Sequence, residues 1–534
     1  MPISRRDIVK SLALGVPALQ LNPALALGRT EKSLAISPVA EGPFKATRAS
    51  LRTYEIPEWY RNAKFGIWAH WGPQSAVEAG DWYARNMYIQ GNRQYDHHVK
   101  TYGHPSKTGF KDTIPAWKAE KFDAGYLMGL YKKAGARYFM TMGVHHDNFD
   151  LWNSKHNRWN SVNMGPRKDI VGLFKNAARK NGLRFGISDH LWVTYKWFSS
   201  SKGSDKTGDM AGIPYDGADP KNFEYYGVCE EVFSPRLDWN ENGIPEAWKK
   251  HWYNRINDLI DQHEPDLLYC DGPMPFEEHG LGILAGLYNK SAAKNGGKTQ
   301  AVYTSKRPED SAQGTGICVF DVERGVVESI WPLPWQTDTC IGDWHYNRDR
   351  IGKYKTAKTV VDLLVDIVSR NGNLMLNFPL PASGMLDPDE LAVLDGITRW
   401  MAVNSEGIYD TRPWKIFGEG PQSAITKNAS EVNSAQAFNE RNRKQFTHED
   451  VRFTTKGATL YAFLMGWPEA GGQAVIRPLS ANSPHIKGTV ENIELLGHGK
   501  VSFTRDAEGL KITLPAQKPA EHASAFRISG QGLV

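Results

Sequence analysis

Residues 144–152, VHHDNFDLW, place two adjacent histidines beside two aspartates. Imidazole and carboxylate groups at this density are typical of a metal site, an acid/base site or a polar clamp on a ligand. Catalytic zinc needs three convergent protein ligands, whereas neighbours on a strand, such as His145 and His146, point to opposite faces. The HExxH pattern is absent, but a chain can turn where a strand ends. The stretch alone therefore leaves a metal site, a clamp and a structural role open.

Two carboxylates elsewhere have the chemistry of an acid pair. Asp271 follows the apolar run LLYC and precedes Gly-Pro, which predicts a partly buried carboxylate that is a nucleophile, a metal ligand or a helix cap. Glu323 lies in VFDVERG, which we interpret as a polar loop, and a salt bridge with Arg324 or Arg307 is the alternative. In glycoside hydrolysis, one acid attacks the anomeric carbon and the other protonates the departing oxygen.

The elements that must position these residues alternate along the chain. Segments with helical spacing of apolar residues lie between several apolar runs, at 169–182, 247–263 and 359–372. Repeated strand–helix units predict a (β/α)8-like, TIM-type barrel, with a doubly wound sheet as the alternative. No GxGxxG or Walker pattern follows a strand, so a nucleotide-binding fold has little support. The apolar runs that we interpret as strands are 64–72, 137–146, 184–190, 266–272, 300–306 and 373–380.

Polar residues follow five of these runs. The active sites of such barrels lie at the carboxyl ends of the strands, so these positions are candidate functional residues. They are His70, His145, His146, Asp189, His190, Asp271, Lys306 and Arg307.

The remaining segments suggest three further regions. Residues 196–245 are rich in Gly, Ser and Asp, which predicts a long loop over the barrel mouth. After Trp414, short alternating runs punctuated by Gly and Pro predict an antiparallel β-sandwich. We therefore expect a signal peptide at 1–26, a catalytic barrel at 45–412 and a C-terminal β-sandwich at 413–534.

The amino-terminal segment has the pattern of an export signal. Arg5 and Arg6 precede a mildly apolar stretch that ends in Ala-Leu-Ala at 24–26, which resembles a twin-arginine signal. A cytosolic helix with chance arginines is the alternative. This pattern predicts a periplasmic or secreted protein, and no apolar run is long enough to predict a membrane span.

Composition narrows the ligand class. The net charge of +5 includes no basic run, so a dedicated nucleic-acid binder is not indicated. The four cysteines lack CxxC spacing, which argues against a zinc ribbon or a disulfide scaffold. The chain has 18 Trp, 21 Tyr and 21 Phe, and such rings stack on the apolar faces of sugars or fill a large core.

The chain resembles glycoside hydrolase family 29, the retaining α-L-fucosidases. The resemblance covers nearly everything after residue 50, in long motifs that follow one another in the expected order. It implies a catalytic barrel with a C-terminal β-sandwich, a fucosylated oligo- or polysaccharide as substrate and no metal or cofactor. The matching stretches are 58–76, 80–88, 143–187, 265–273, 321–347 and 363–414.

The resemblance also implies roles for individual residues. Asp271 takes the place of the nucleophile, and Glu323 that of the acid/base. Arg307 lies about where the family has an arginine near the acid/base, although TSKRPED fits that segment poorly. The residues expected to contact the sugar ring are His70, Asp81, Trp82, His145, His146, Tyr269 and Trp335.

Four departures from the family pattern bear on the substrate. Asp81 stands where Glu is common, Asn148 where Gly is usual and Tyr269 where Trp is frequent, and SDHLW replaces a segment that usually carries Tyr and Ser. We therefore keep two alternatives: an α-L-galactosidase or sulfated-fucan exo-glycosidase on the same scaffold, and a glycan-binding protein without activity. The retained Asp271 and Glu323 argue against the second.

Overall fold

The computed structural model describes residues 35–227, 237, 239–311, 316–423, 438–468 and 472–534. The predicted signal peptide at 1–26 lies outside the described residues. Within the described chain, no helix is both long and apolar enough to cross a membrane.

Eight parallel strands close into a barrel, which confirms the predicted fold and excludes the doubly wound sheet. These strands are buried along nearly their whole length, as expected when helices cover the outside and side chains fill the inside. They are β1 (Phe65–Ala69), β2 (Tyr138–Val144), β3 (Arg184–Asp189), β4 (Leu267–Cys270), β5 (Val302–Ser305), β6 (Val319–Glu323), β7 (Trp335–Cys340) and β8 (Gly372–Asn377).

Side-chain caps fix where several barrel helices begin. Asp169 accepts a hydrogen bond from the Gly172 backbone, and Asp387 forms a capping box with Glu390. The helices are α1 (Arg48–Leu51), α2 (Glu58–Ala63), α3 (Tyr83–Asn86), α4 (Arg93–Tyr102), α5 (Phe110–Thr113), α6 (Ala124–Lys133), α7 (Ile170–Lys180), α8 (Thr194–Trp197), α9 (Phe223–Tyr226), α10 (Glu246–His263), α11 (Glu278–Lys294), α12 (Ala357–Ser369) and α13 (Pro388–Asn404).

The C-terminal region contains two antiparallel sheets. A six-stranded sheet has the order β14-β13-β17-β11-β10-β9, and a three-stranded sheet has the order β12-β16-β15. The strands are β9 (Arg412–Glu419), β10 (Val451–Lys456), β11 (Thr459–Leu464), β12 (Gln473–Ile476), β13 (Val490–Leu495), β14 (Gly499–Lys500), β15 (Phe503–Arg505), β16 (Leu510–Thr513) and β17 (Ser524–Gly530).

The six-stranded sheet is buried on both faces where it meets the barrel. Along β11, Leu460, Ala462 and Leu464 pack in the sandwich core. The alternate residues Tyr461 and Phe463 pack in the barrel core. Because side chains alternate along a strand, one sheet joins the two cores.

We expected Glu323 to lie in a loop. It is instead the last residue of β6. The strand was missed because Asp321 and Glu323, two positions apart on one face, interrupt its apolar pattern. Asp321 accepts a hydrogen bond from Gln336 of β7 at 2.8 Å. These polar side chains belong to the barrel strands, so β6 and β7 have weaker sequence signals than the other six.

Candidate active site

A cavity of about 630 Å³ opens at the carboxyl ends of the barrel strands. Its size suits a small ligand, and its wall combines aromatic rings with charged groups. Its lining residues include Trp68, His70, Asp81, Trp82, His145, His190, Trp192, Trp239, Tyr269, Asp271, Lys306, Glu323, Arg324, Asp338, Trp344 and Phe438.

Asp271, directly after β4, has cationic and imidazole neighbours. Lys306 Nζ lies 2.9 Å from its Oδ1. His146 Nε2 and His190 Nδ1 lie 3.3 Å and 3.2 Å from its Oδ2. His146 Nδ1 also lies 2.6 Å from the His190 carbonyl oxygen, and this contact fixes the orientation of the ring. These contacts favour an ionised carboxylate that points into the cavity.

Opposing effects set the pKa of Asp271. Burial alone would raise it, but Lys306, followed by His190 and the hydrogen bond from His146, outweighs burial and holds the pKa well below its usual range. The same ion pairs act on Lys306: burial lowers its pKa, while Asp271, Asp338 and Glu323 raise it well above the ordinary value. Asp271 is therefore ionised at neutral pH and available as a nucleophile.

Glu323 lies close to Asp271. Lys306 Nζ contacts Glu323 Oε2 at 2.5 Å, and Trp344 Nε1 donates to its Oε1 at 3.2 Å. Lys306 Nζ also contacts Asp271 Oδ1. Asp271 Oδ1 and Glu323 Oε2 therefore lie no more than about 5.4 Å apart, since that is the sum of their distances from Nζ. Retaining glycosidases separate their carboxyl groups by about 5–5.5 Å, and inverting ones by about 6.5–9.5 Å.

Burial raises the pKa of Glu323. Lys306 lowers it, but Asp338 and Asp271 add to the effect of burial, and the net shift is upward. The two environments thus push the two carboxyl groups in opposite directions, as a nucleophile and a proton donor require.

Three histidines surround the inner end of the cavity. His70 Nδ1 lies 3.2 Å from Asn377 Oδ1, and His145 Nδ1 lies 3.0 Å from Gln74 Nε2, so both rings are oriented by amides. Burial lowers the pKa of His70, His145 and His190. They are neutral at pH 7 and offer ring nitrogens that can bind hydroxyl groups.

Asp81 and Trp82 reach the cavity from the loop after β1. Asp81 Oδ1 accepts a hydrogen bond from His345 Nδ1 at 2.8 Å. Trp82 has φ +61°, a left-handed conformation that is unusual for an aromatic residue, and its ring lies 5.7 Å from that of Trp239. Trp239 belongs to the 196–245 insertion, so this described residue of the insertion reaches the mouth, as predicted.

Some of these groups have the spacing of metal ligands. Their ligand atoms lie within 4.8 Å of one another in three sets: His70, His145 and His190; Asp81, His145 and His345; and His146, His190 and Asp271. The ammonium group of Lys306, 2.9 Å from Asp271, disfavours a cation in the third set. The other sets consist of groups that bind sugar hydroxyls equally well.

Arg307 and Trp335 are corrections to the predicted site. Arg307 is exposed and does not line the cavity, and the preceding residue, Lys306, contacts both carboxylates instead. Trp335 is the first residue of β7, at the opposite end of the barrel, where it is fully buried against Gly372 and donates to the Arg370 carbonyl oxygen at 2.9 Å. A buried side chain at the amino-terminal end of a strand cannot touch a ligand in this cavity.

Asn148 and Tyr269 were expected to bear on the substrate, but their polar groups hydrogen-bond to other residues of the protein. Asn148 has φ +60°, a left-handed backbone conformation. Asn tolerates this conformation better than most residues other than Gly, the residue that the family usually has here. It is buried outside the cavity, donates to the Tyr225 carbonyl oxygen and accepts from Arg255, both at 2.6 Å. Tyr269 lines the cavity, but its hydroxyl donates to Asp338 at 2.9 Å.

Several lining residues were not among the predicted contacts. The sequence did indicate Lys306 and His190 as candidate functional residues, because both lie at the ends of apolar runs that were interpreted as strands. Asp338 lies within β7, whose sequence WQTDTC has no apolar pattern, and Trp344 follows it. Only the closed barrel brings these residues to Asp271.

Comparisons with known proteins identify the family of this chain. The family model described as α-L-fucosidase matches residues 33–406, and the α-L-fucosidase C-terminal domain model matches residues 443–529. Tissue α-L-fucosidase of Bos taurus is 26% identical over 493 residues, covering 90% of each chain. Plasma α-L-fucosidase of Homo sapiens is 26% identical, covering 88% of each chain.

A solved structure has the same fold. The crystal structure of the Thermotoga maritima α-fucosidase in complex with fucose has a TM-score of 0.67 at 24% identity, covering 91% of this chain and all of that one. Its similarity shows the shared fold. Because one family model spans most of the sequence, the chain belongs to the α-L-fucosidase family, glycoside hydrolase family 29, and is a glycoside hydrolase.

Proposed function

We propose that this protein is a retaining, exo-acting α-L-fucosidase that removes terminal α-L-fucosyl residues from glycans. The observation that carries the proposal is the Lys306 ammonium group, which contacts Asp271 Oδ1 and Glu323 Oε2 together and so holds these two oxygens within about 5.4 Å of each other. That spacing agrees with the separation of about 5–5.5 Å in retaining enzymes and is shorter than that of about 6.5–9.5 Å in inverting enzymes.

The proposed reaction has two displacements. Asp271 attacks C1 of the sugar while Glu323 gives its proton to the departing glycosidic oxygen, so the C1–O bond breaks and a glycosyl–aspartate ester forms. Glu323, now ionised, takes a proton from water as the water oxygen attacks C1. The ester bond breaks, Asp271 is released as a carboxylate, and the sugar keeps its anomeric configuration.

The cavity supports binding of one terminal sugar ring. Among the described residues, Trp68 Nε1 and His190 Nε2 are buried without a hydrogen-bond partner, and both residues line the cavity. Buried polar atoms normally have partners, so these two point to a polar ligand. Trp68 and Trp344 add apolar surface that suits the 6-methyl group of fucose. Such surface distinguishes fucose from L-galactose only weakly, by about 10²-fold or less.

Replacement of the nucleophile tests the assignment. Asp271→Ala should lower kcat on an aryl α-L-fucoside by at least about 10³-fold, because no covalent intermediate can form. Glu309→Gln, at an exposed acid that does not line the cavity, is the control and should retain wild-type rates. A decrease of only a few-fold for Asp271→Ala would refute the role of Asp271.

The stereochemistry tests retention separately. Proton NMR of the first turnovers should show α-L-fucose before mutarotation, and initial β-anomer would rule out the double displacement. Azide should restore activity to Glu323→Ala by replacing water as the nucleophile. Parallel assays with α-L-galactosides should be slower, by up to about 10²-fold.

We also propose that the protein is exported through a twin-arginine pathway, which Arg5, Arg6 and the Ala-Leu-Ala at 24–26 support. Replacing both Arg5 and Arg6 with Lys should retain the enzyme inside the cell, with activity measured in the periplasmic and cytosolic fractions. Lys10→Arg is the control. Equal export of the double variant would contradict the proposal.

A further inference from the structure

Phe438 places an exposed aromatic ring beside the acid/base residue. It lies 115 positions after Glu323 in the sequence, in the segment that leads into the sandwich strand β10, yet it lines the same cavity as Glu323, Arg324 and Trp344. The residue is 42% exposed, whereas most large apolar residues that the structure describes are buried. An apolar ring kept in water at the mouth of a site is a candidate ligand contact.

Backbone contacts fix this ring relative to the acid/base. The Phe438 amide donates to the Glu323 carbonyl oxygen at 2.8 Å, and the Glu440 amide donates to the Arg324 carbonyl oxygen at 3.0 Å. The Asn439 side chain binds both backbone groups of Val326, at 3.2 Å and 3.0 Å. The segment therefore docks along the end of β6 through several hydrogen bonds.

The side chain of Glu440 anchors the same segment from the other side. Its carboxylate accepts from Thr339 Oγ1 at 2.6 Å and pairs with Lys355 Nζ at 2.6 Å. Phe438 itself has φ +62°, a left-handed conformation that costs a bulky residue about 1 kcal/mol or more. A large apolar side chain at a strained, solvent-facing position adds nothing to a core, which favours a functional reason for it.

The proposed chemistry determines which part of a substrate would meet this ring. The terminal sugar sits at the inner end of the cavity against His70, His145 and His190, and Glu323 protonates the oxygen that leaves. The group attached to that oxygen must therefore extend past Glu323 toward the mouth, where Phe438 lies. The exposed face of a phenyl ring suits the apolar C–H face of a pyranose.

We propose that Phe438 forms the stacking platform of an aglycone subsite that binds the sugar unit next to the terminal fucose. This inference rests on the proposed function, since it uses Glu323 as the acid/base. The segment at 438–440 thereby supplies a part of the binding site that the barrel alone lacks.

Two substrates separate stacking from a general effect on catalysis. Methyl α-L-fucoside needs the proton from Glu323 but has no aglycone sugar, whereas a fucosyl disaccharide needs the proton and has the sugar. Phe438→Ala should lower kcat/KM for the disaccharide by about two- to tenfold and leave that for the methyl fucoside within twofold. Phe438→Trp keeps an aromatic face and should retain the disaccharide activity.

Two outcomes would overturn the platform. Equal losses on both substrates would mean that Phe438 only supports Glu323, and no loss on the disaccharide would mean that the ring does not touch the aglycone. Failure of the wild type to hydrolyse both the methyl fucoside and the disaccharide would instead count against the proposed function, so the two failures are distinguishable.

Discussion

At the scale of single residues, Lys306 connects the two carboxyl groups that the proposed reaction needs. Its ammonium group lies 2.9 Å from Asp271 and 2.5 Å from Glu323, and 3.9 Å from Asp338. It lowers the pKa of Asp271 and also counteracts the rise in the pKa of Glu323. A lysine among three acids is therefore the group that most directly sets the working pH range.

Removal of this charge should move the whole pH profile. Activity is lost at low pH when Asp271 takes up a proton, and at high pH when Glu323 loses one. Because Lys306 lowers both pKa values, Lys306→Met should shift both limbs of the kcat/KM profile to higher pH and reduce the rate at the wild-type optimum by about 10²-fold.

A conservative variant separates charge from shape. Lys306→Arg keeps the cation and should keep both limbs near their wild-type positions. Unmoved limbs in Lys306→Met, measured with an aryl fucoside across the pH range, would show that the charge of Lys306 does not control these titrations.

At the scale of elements, Asn148 holds the loop after β2 against two neighbouring helices. Asn148 was expected to bear on which sugar is bound, but its side chain ties this loop to Tyr225 at the end of the insertion helix α9 and to Arg255 of α10. Arg255 also pairs with Asp150 in the same loop, and both side chains are fully buried. The loop therefore depends on Asn148 for its position.

Asn148→Gly should reduce stability without changing specificity. Glycine keeps the left-handed backbone but removes two buried hydrogen bonds, one of them from a charged group, at a cost of about 1–3 kcal/mol. Thermal unfolding and the ratio of kcat/KM for α-L-fucoside and α-L-galactoside would be measured together. A change in that ratio of more than about threefold would restore Asn148 as a specificity residue.

At the scale of the whole molecule, one buried carboxylate joins the barrel to the sandwich. Asp366 of α12 contacts Arg370 at 3.1 Å, Arg443 from the connecting segment and Arg452 from β10. Burial opposes its charge, but the three guanidinium groups hold its pKa well below the usual range. Removing one partner from such a buried cluster leaves the other charges without compensation.

Asp366→Asn should therefore destabilise the protein by about 3–5 kcal/mol in urea unfolding. The control is Asp395→Asn, whose i,i+4 pair with Arg399 is exposed and should change stability by about 0.5 kcal/mol or less. Similar small effects for both variants would show that the cluster does not hold the domains together.

The pH dependence of this contribution has a definite direction. Because the folded pKa of Asp366 is depressed, its stabilisation is fully present above the unfolded pKa of about 3.9 and is lost as pH falls through the lower folded value. The stability difference between wild type and Asp366→Asn should thus be constant near neutral pH and shrink only in strong acid.

The sequence by itself predicted the barrel and the sandwich and singled out Asp271 and Glu323 as candidate acids. Six strands were visible because buried parallel strands are apolar along their whole length, and Asp271 stood out because a carboxylate followed such a run. The apolar pattern did not predict the polar strands β6 and β7. Their acids face the barrel interior near its mouth, so local apolar patterning could not reveal them.

Only the tertiary structure decided which neighbours share the site. It placed Lys306 rather than Arg307 between the acids, put Trp335 at the far end of the barrel and brought Phe438 to the mouth. These distinctions depend on which end of a strand a residue occupies and on contacts across more than 100 positions. Local sequence encodes strand and helix, whereas barrel closure and domain packing determine which side chains meet.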